Sequence, residues 1–142
     1  MNRNILSNLI LSSLAALFLY TAVSKIFAWD TFRGEMYNQP FPIWFSAILV
    51  WFIPVAEILI GGLLVFKTFR IYGLIFSFVL LCLFTGYVAL ILLHVFDRVP
   101  CSCGGVLKSM SWKVHLVFNI GFTVLAAVGI IFERKRLRDL SA

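Results

Sequence analysis

"IWFSAILVWFIPVAEILIGGLLVF", residues 43–66, is an apolar run carrying one ionisable side chain, Glu57. Such a run suits a helix crossing a ~30 Å hydrocarbon core, which takes roughly 20 residues. Comparable runs cover about 5–28, 71–96 and 111–132. The chain as a whole is 62% hydrophobic and 13% charged, with a mean hydropathy of +1.02, far outside the composition of a soluble domain. The pattern predicts an all-α integral membrane four-helix bundle, residues 1–142 forming one domain with a basic C-terminal tail at 133–142. The short links leave no room for a soluble domain, and the spans show no internal repeat. Arg3 precedes the first run as in a secretory signal. That run is longer than the usual apolar segment of roughly 7–15 residues, and "YTAVSKIFAW" at 20–29 offers no clear small-residue cleavage site, so it reads as a retained span.

Charge sets the expected orientation. An even number of spans puts Arg3, Lys67, Arg70, Arg134, Lys135, Arg136 and Arg138 on one side, and Lys25, Arg33, Arg98, Lys108 and Lys113 on the other. The richer side, with "ERKRLRD" at 133–139 beyond the last span, is expected to be cytoplasmic. Both termini are thus expected in the cytoplasm of a multi-pass protein of a bacterial inner membrane, with the 97–110 link in the periplasm. The net charge of +6 is accounted for by topology and anionic lipid. Nothing in the chain resembles a basic, aromatic nucleic-acid surface on a soluble fold.

Within the spans, Lys25, Glu57, His94, His115 and Asn119 are the residues lipid should exclude, with Tyr20, Ser24, Cys82 and Tyr87 as softer cases. Intramembrane ionisable groups face the bundle interior or pair with one another. At ~1.5 Å per residue, Lys25, His94 and His115 all fall toward the outer surface that carries Cys101 and Cys103. Glu57 falls roughly 20 Å below that boundary, which argues against a direct Lys25 to Glu57 ion pair unless Pro54 or helix tilt shifts the register. The carboxyl is then expected protonated, or bonded to Tyr87 or a backbone carbonyl, as helix-packing glue first and in a proton or quinone role second. Trp112, His115 and Asn119 recur at helical spacing and share one face. Gly61, Gly62, Gly73, Gly86, Gly121 and Gly129 read as sites of close helix approach, the tryptophans as interfacial anchors, and Cys82 as a small buried apolar residue.

"DRVPCSCGGVLKSMSWKVHL", residues 97–116, carries the chemistry. A disulfide between Cys101 and Cys103 would close a very small ring, which strains its geometry and favours exchange over stapling. Its loop-entropy contribution to stability would also be small. Gly104 and Gly105 leave room for a partner chain. Arg98, Lys108 and Lys113, and a helix start capped by Ser109 or Ser111, favour the thiolate. His115, with His94, is a candidate proton carrier. Four readings stay open: an exchange-active dithiol, a structural disulfide, inert thiols, and a metal site of His94, Cys101, Cys103 and His115, whose ligands would suit zinc or copper.

"SK" at 24–25, "AEILIGGLL" at 56–64, "PCSCGG" at 100–105 and "SWKVHLVFN" at 111–119 together resemble the MauE branch of the DoxX-like, redox-associated membrane proteins over nearly the whole chain. The resemblance implies redox roles for Cys101 and Cys103, and structural or coupling roles for Lys25 and Glu57. It further implies thiol-disulfide exchange with a periplasmic thioredoxin-like partner, in maturation of a disulfide-containing enzyme such as methylamine dehydrogenase. Many members carry an aromatic residue after the second cysteine, where Gly104 stands here. The bundle is also similar to disulfide-forming quinone reductases, which use two cysteine pairs. The single external pair here favours a relay, a thiol-disulfide oxidoreductase whose redox group is its own disulfide. A bound quinone or metal is left open, and the alternatives are a metal-binding membrane protein and a non-catalytic scaffold that docks a periplasmic partner.

Overall fold

The computed structural model describes residues 2–97 and 111–142. Helix α1 spans Arg3–Phe27, α2 Trp29–Tyr37, α3 Ile43–Val65, α4 Arg70–Leu92 and α5 Trp112–Ser141, with no strand among the described residues. All but α2 are long and apolar enough to cross a membrane. Helix α1 packs on α3, α3 on α4, α4 on α5, and α5 back on α1, the ring expected of an up-and-down bundle with short links.

Large apolar side chains face outward as well as inward. Leu9, Val23, Ile48, Leu59 and Val117 are exposed, as suits a surface whose solvent is lipid. Because lipid tails are as apolar as leucine, close packing and internal polar contacts must hold such helices together. A Cβ at Gly61 would come within 2.6 Å of Leu19, at Gly73 within 2.9 Å of the Leu64 backbone, and at Gly129 within 2.8 Å of Leu74. The packing role expected of six glycines holds for these three. Gly62, Gly86 and Gly121 have nothing within 4 Å of an added Cβ.

One apolar cluster joins Leu14 and Phe18 of α1, Leu64 of α3, Leu74 of α4 and Ala126 of α5. A second joins Phe32 and Met36 of α2 to Val50 and Ile53 of α3. Several hydroxyls within the helices bond back to their own backbone. Ser77, Thr85 and Thr123 donate to the carbonyls of Gly73, Leu81 and Asn119 at 2.7, 2.6 and 2.7 Å, which satisfies hydroxyls that lipid cannot.

Two segments between and beyond the spans prove helical. Helix α2 lies in the link between the first two spans, with Phe32 only 1% exposed. Helix α5 continues through the basic tail to Ser141, and Glu133 is buried on that stretch beside Arg136 at 3.1 Å. One expectation is corrected. Cys82 is exposed on the outer face of α4 rather than buried. Arg3 meets Asp139 at 2.8 Å, so the two termini share one end of the bundle.

Candidate functional site

Lys25, near the end of α1, donates to both carboxylate oxygens of Glu57 on α3, at 2.9 and 3.1 Å. The two side chains are 11% and 3% exposed. Lys25 also reaches the Thr21 carbonyl at 3.4 Å, and its Nζ lies 5.8 Å from the centre of the Phe32 ring. The separation expected from counting residues is therefore wrong, because it took the end of α1 for the outer edge of the bundle. Leu19 lies against Gly61 and Lys25 against Glu57, so the part of α3 ahead of Glu57 runs on beyond α1. Helix α2 packs there, Phe32 and Met36 resting on Val50 and Ile53. The ammonium meets the carboxylate well inside the bundle, where each charge is tolerated only because the other is present.

Ser111 caps α5, its hydroxyl accepting from the Val114 amide at 3.4 Å, which selects it over Ser109 as the helix start. The face that follows is the one its spacing suggested. Trp112 stacks on His115 with ring centres 6.1 Å apart and planes 16° from parallel, and Asn119, a turn further on, is 5% exposed. Nδ2 of Asn119 is buried and has no hydrogen-bond partner among the described residues.

These groups converge on one cavity of about 510 Å³. Lys25, Glu57, His115 and Asn119 contribute to its wall, as do Phe18 and Leu81 from the first cluster and Phe32 and Ile53 from the second. Its remaining surface is mostly aliphatic and aromatic. Of Lys25, His94 and His115, expected to converge at the outer surface, the first and last do come together, but on the wall of this cavity and with Lys25 deeper than expected. His94 is exposed one residue past the C-cap of α4 and is not part of the wall. Its backbone has φ 55°. The amides of His94 and Val95 donate to the carbonyls of Ile91 and Leu90 at 3.1 and 3.2 Å, the paired bonds that close a helix through a left-handed residue, usually glycine.

Cys101 and Cys103 lie outside the described residues, as do Arg98, Gly104, Gly105, Lys108 and Ser109. Among the described residues no three His, Cys, Asp or Glu side chains gather as metal ligands. Sequence reasoning passed over Gln39. It is 1% exposed, donates to the Glu35 carbonyl at 3.2 Å, and accepts from the Tyr87 hydroxyl. The only signal for it was Tyr87, a polar group in a span with no partner named nearby except Glu57.

A protein-family model described as "Methylamine utilisation protein MauE" matches residues 3–132, the stretch that holds all four spans up to the basic end of α5. No curated protein and no solved structure matches the chain.

Proposed function

This chain belongs to the MauE family, and we propose that it is an inner-membrane thiol-disulfide relay serving a periplasmic thioredoxin-fold partner in methylamine utilisation or an analogous maturation. The carrying observation is the position of Cys101-Ser-Cys103 in the link between α4 and α5, ahead of a capped helix whose first turn holds His115 on the cavity wall. The basic end shared by both termini supports the orientation in which that link is periplasmic, a compartment where disulfides persist.

In the simplest exchange, the thiolate of one cysteine attacks the partner's disulfide, forming a mixed disulfide and expelling the partner's second sulfur as a thiolate. The other cysteine then attacks the mixed disulfide. A Cys101 to Cys103 disulfide forms, and the partner leaves with both sulfurs reduced. Two electrons pass from this chain to the partner, and the reverse sequence oxidises the partner. His115 takes up and returns the thiol protons, and the α5 N-terminus favours the thiolate.

Trapping tests the reading. Cys101→Ser and Cys103→Ser are expressed singly in cells that make the partner, and membranes are acid-quenched, alkylated and run without reductant. One single variant should accumulate a mixed disulfide with a thioredoxin-fold protein, and the double variant none. Client maturation that continues undiminished in the double variant would sink the relay.

A further inference from the structure

We infer that the cavity between the two apolar clusters is a binding site for a neutral, membrane-soluble molecule with a flat carbonyl-bearing ring, of the quinone class. Its volume, about 510 Å³, falls within the roughly 300–1,000 Å³ of small-molecule sites. The wall dictates the shape of the occupant. Phe41, Phe45, Phe84 and Trp112 offer ring faces and edges, which favour a flat conjugated head over a branched one. Tyr20, Phe52 and Leu83 belong to the wall and are also 51%, 56% and 64% exposed, so the cavity opens on the lipid-facing side, where a hydrocarbon tail can leave.

Two features fix the chemistry of the head. Asn119 presents a buried donor with no partner among the described residues, and an unmade hydrogen bond at such depth is costly, so the occupant should bring an acceptor there. Lys25, the one Lys or Arg side chain among the described residues of the wall, is already neutralised by Glu57 at 2.9 Å, which leaves no Lys or Arg among them for a phosphate. A carbonyl oxygen meets both conditions, whereas a phospholipid headgroup brings acceptors together with a negative charge that the described wall does not balance. This binding does not depend on thiol exchange at Cys101 and Cys103.

The test uses the full chain in nanodiscs of quinone-free synthetic phosphatidylcholine, titrated with decylubiquinone. Tryptophan quenching and thermal unfolding are read together. The expected result is saturable one-to-one quenching that weakens when Trp112 is replaced by Phe, together with a rise in Tm. Asn119→Leu removes the donor and should weaken binding up to about tenfold. Leu83→Trp, which narrows the mouth without touching the polar head, should weaken it as well. A cooperative unfolding transition without ligand is the control that each variant folds. The Cys101→Ser/Cys103→Ser protein should bind as the parent does, so failure of the relay and failure of this site give different results. Quenching that only tracks partition into the bilayer, unchanged affinity in Asn119→Leu, or displacement by phosphatidylglycerol would overturn the assignment.

Discussion

Lys25 and Glu57 stand 2.9 Å apart across the α1/α3 interface, nearly closed to solvent, although one lies near the end of its helix and the other well inside its own. A buried pair of this kind is costly to break, because the charge left behind has no partner. Lys25→Met and Glu57→Leu should each lower unfolding stability by about 3–5 kcal/mol, while the double variant should recover most of that loss. Denaturant unfolding in bicelles reads the cycle. Losses that simply add would show that the contact carries no coupling.

How this pair escaped the sequence shows what hydropathy can resolve. The spans were legible because lipid demands long uncharged runs, and 43–66 and 71–96 fall within four residues of α3 and α4 at each end. The Trp112, His115 and Asn119 face was legible because helical spacing alone puts those residues together. Helix α2 was not. Asp30, Arg33, Glu35 and Gln39 make its stretch look like a polar link, and only the packed structure shows Phe32 and Met36 turned onto α3. Without α2 the depth of Lys25 was misjudged, and the salt bridge with it. Gln39 was hidden for the same reason, since its partner Tyr87 belongs to a helix far along the chain.

His94 occupies the left-handed position that ends α4, with φ 55°. A side chain there costs energy that glycine avoids. His94→Gly should therefore fold at least as well as the parent, gaining up to about 1 kcal/mol in unfolding stability. If His94 serves the helix end alone, mixed-disulfide formation at Cys101 and Cys103 is preserved as well. Loss of thiol-dependent metal on this substitution would instead place it among the ligands of the metal alternative.

The glycines separate into two kinds that substitution should distinguish. At Gly73 an added Cβ would meet the Leu64 backbone nitrogen at 2.9 Å, and backbone cannot yield as a side-chain tip can. Gly73→Ala should cost about 1–3 kcal/mol by forcing α3 and α4 apart. At Gly62 the same methyl enters open space, and Gly62→Ala should be neutral or stabilising by about 0.5–1 kcal/mol. Thermal unfolding of the two variants side by side decides it, and equal effects would contradict the close approach at Gly73.

Cys82 offers a test of which face of α4 meets lipid. Its exposure in the bundle leaves space for a larger apolar group, whereas a cysteine packed in the core would leave none. Cys82→Phe should change stability by no more than about 0.5 kcal/mol, as at ordinary surface positions. A buried site would lose about 1–3 kcal/mol by overpacking. The same variant retains only Cys101 and Cys103 as thiols, so alkylation of intact membranes with a charged, impermeant reagent then reports on the link alone. Labelling from the periplasmic side only after reduction would show the two joined and facing outward. Labelling only from the cytoplasmic side would reverse the orientation and remove the compartment on which the relay depends.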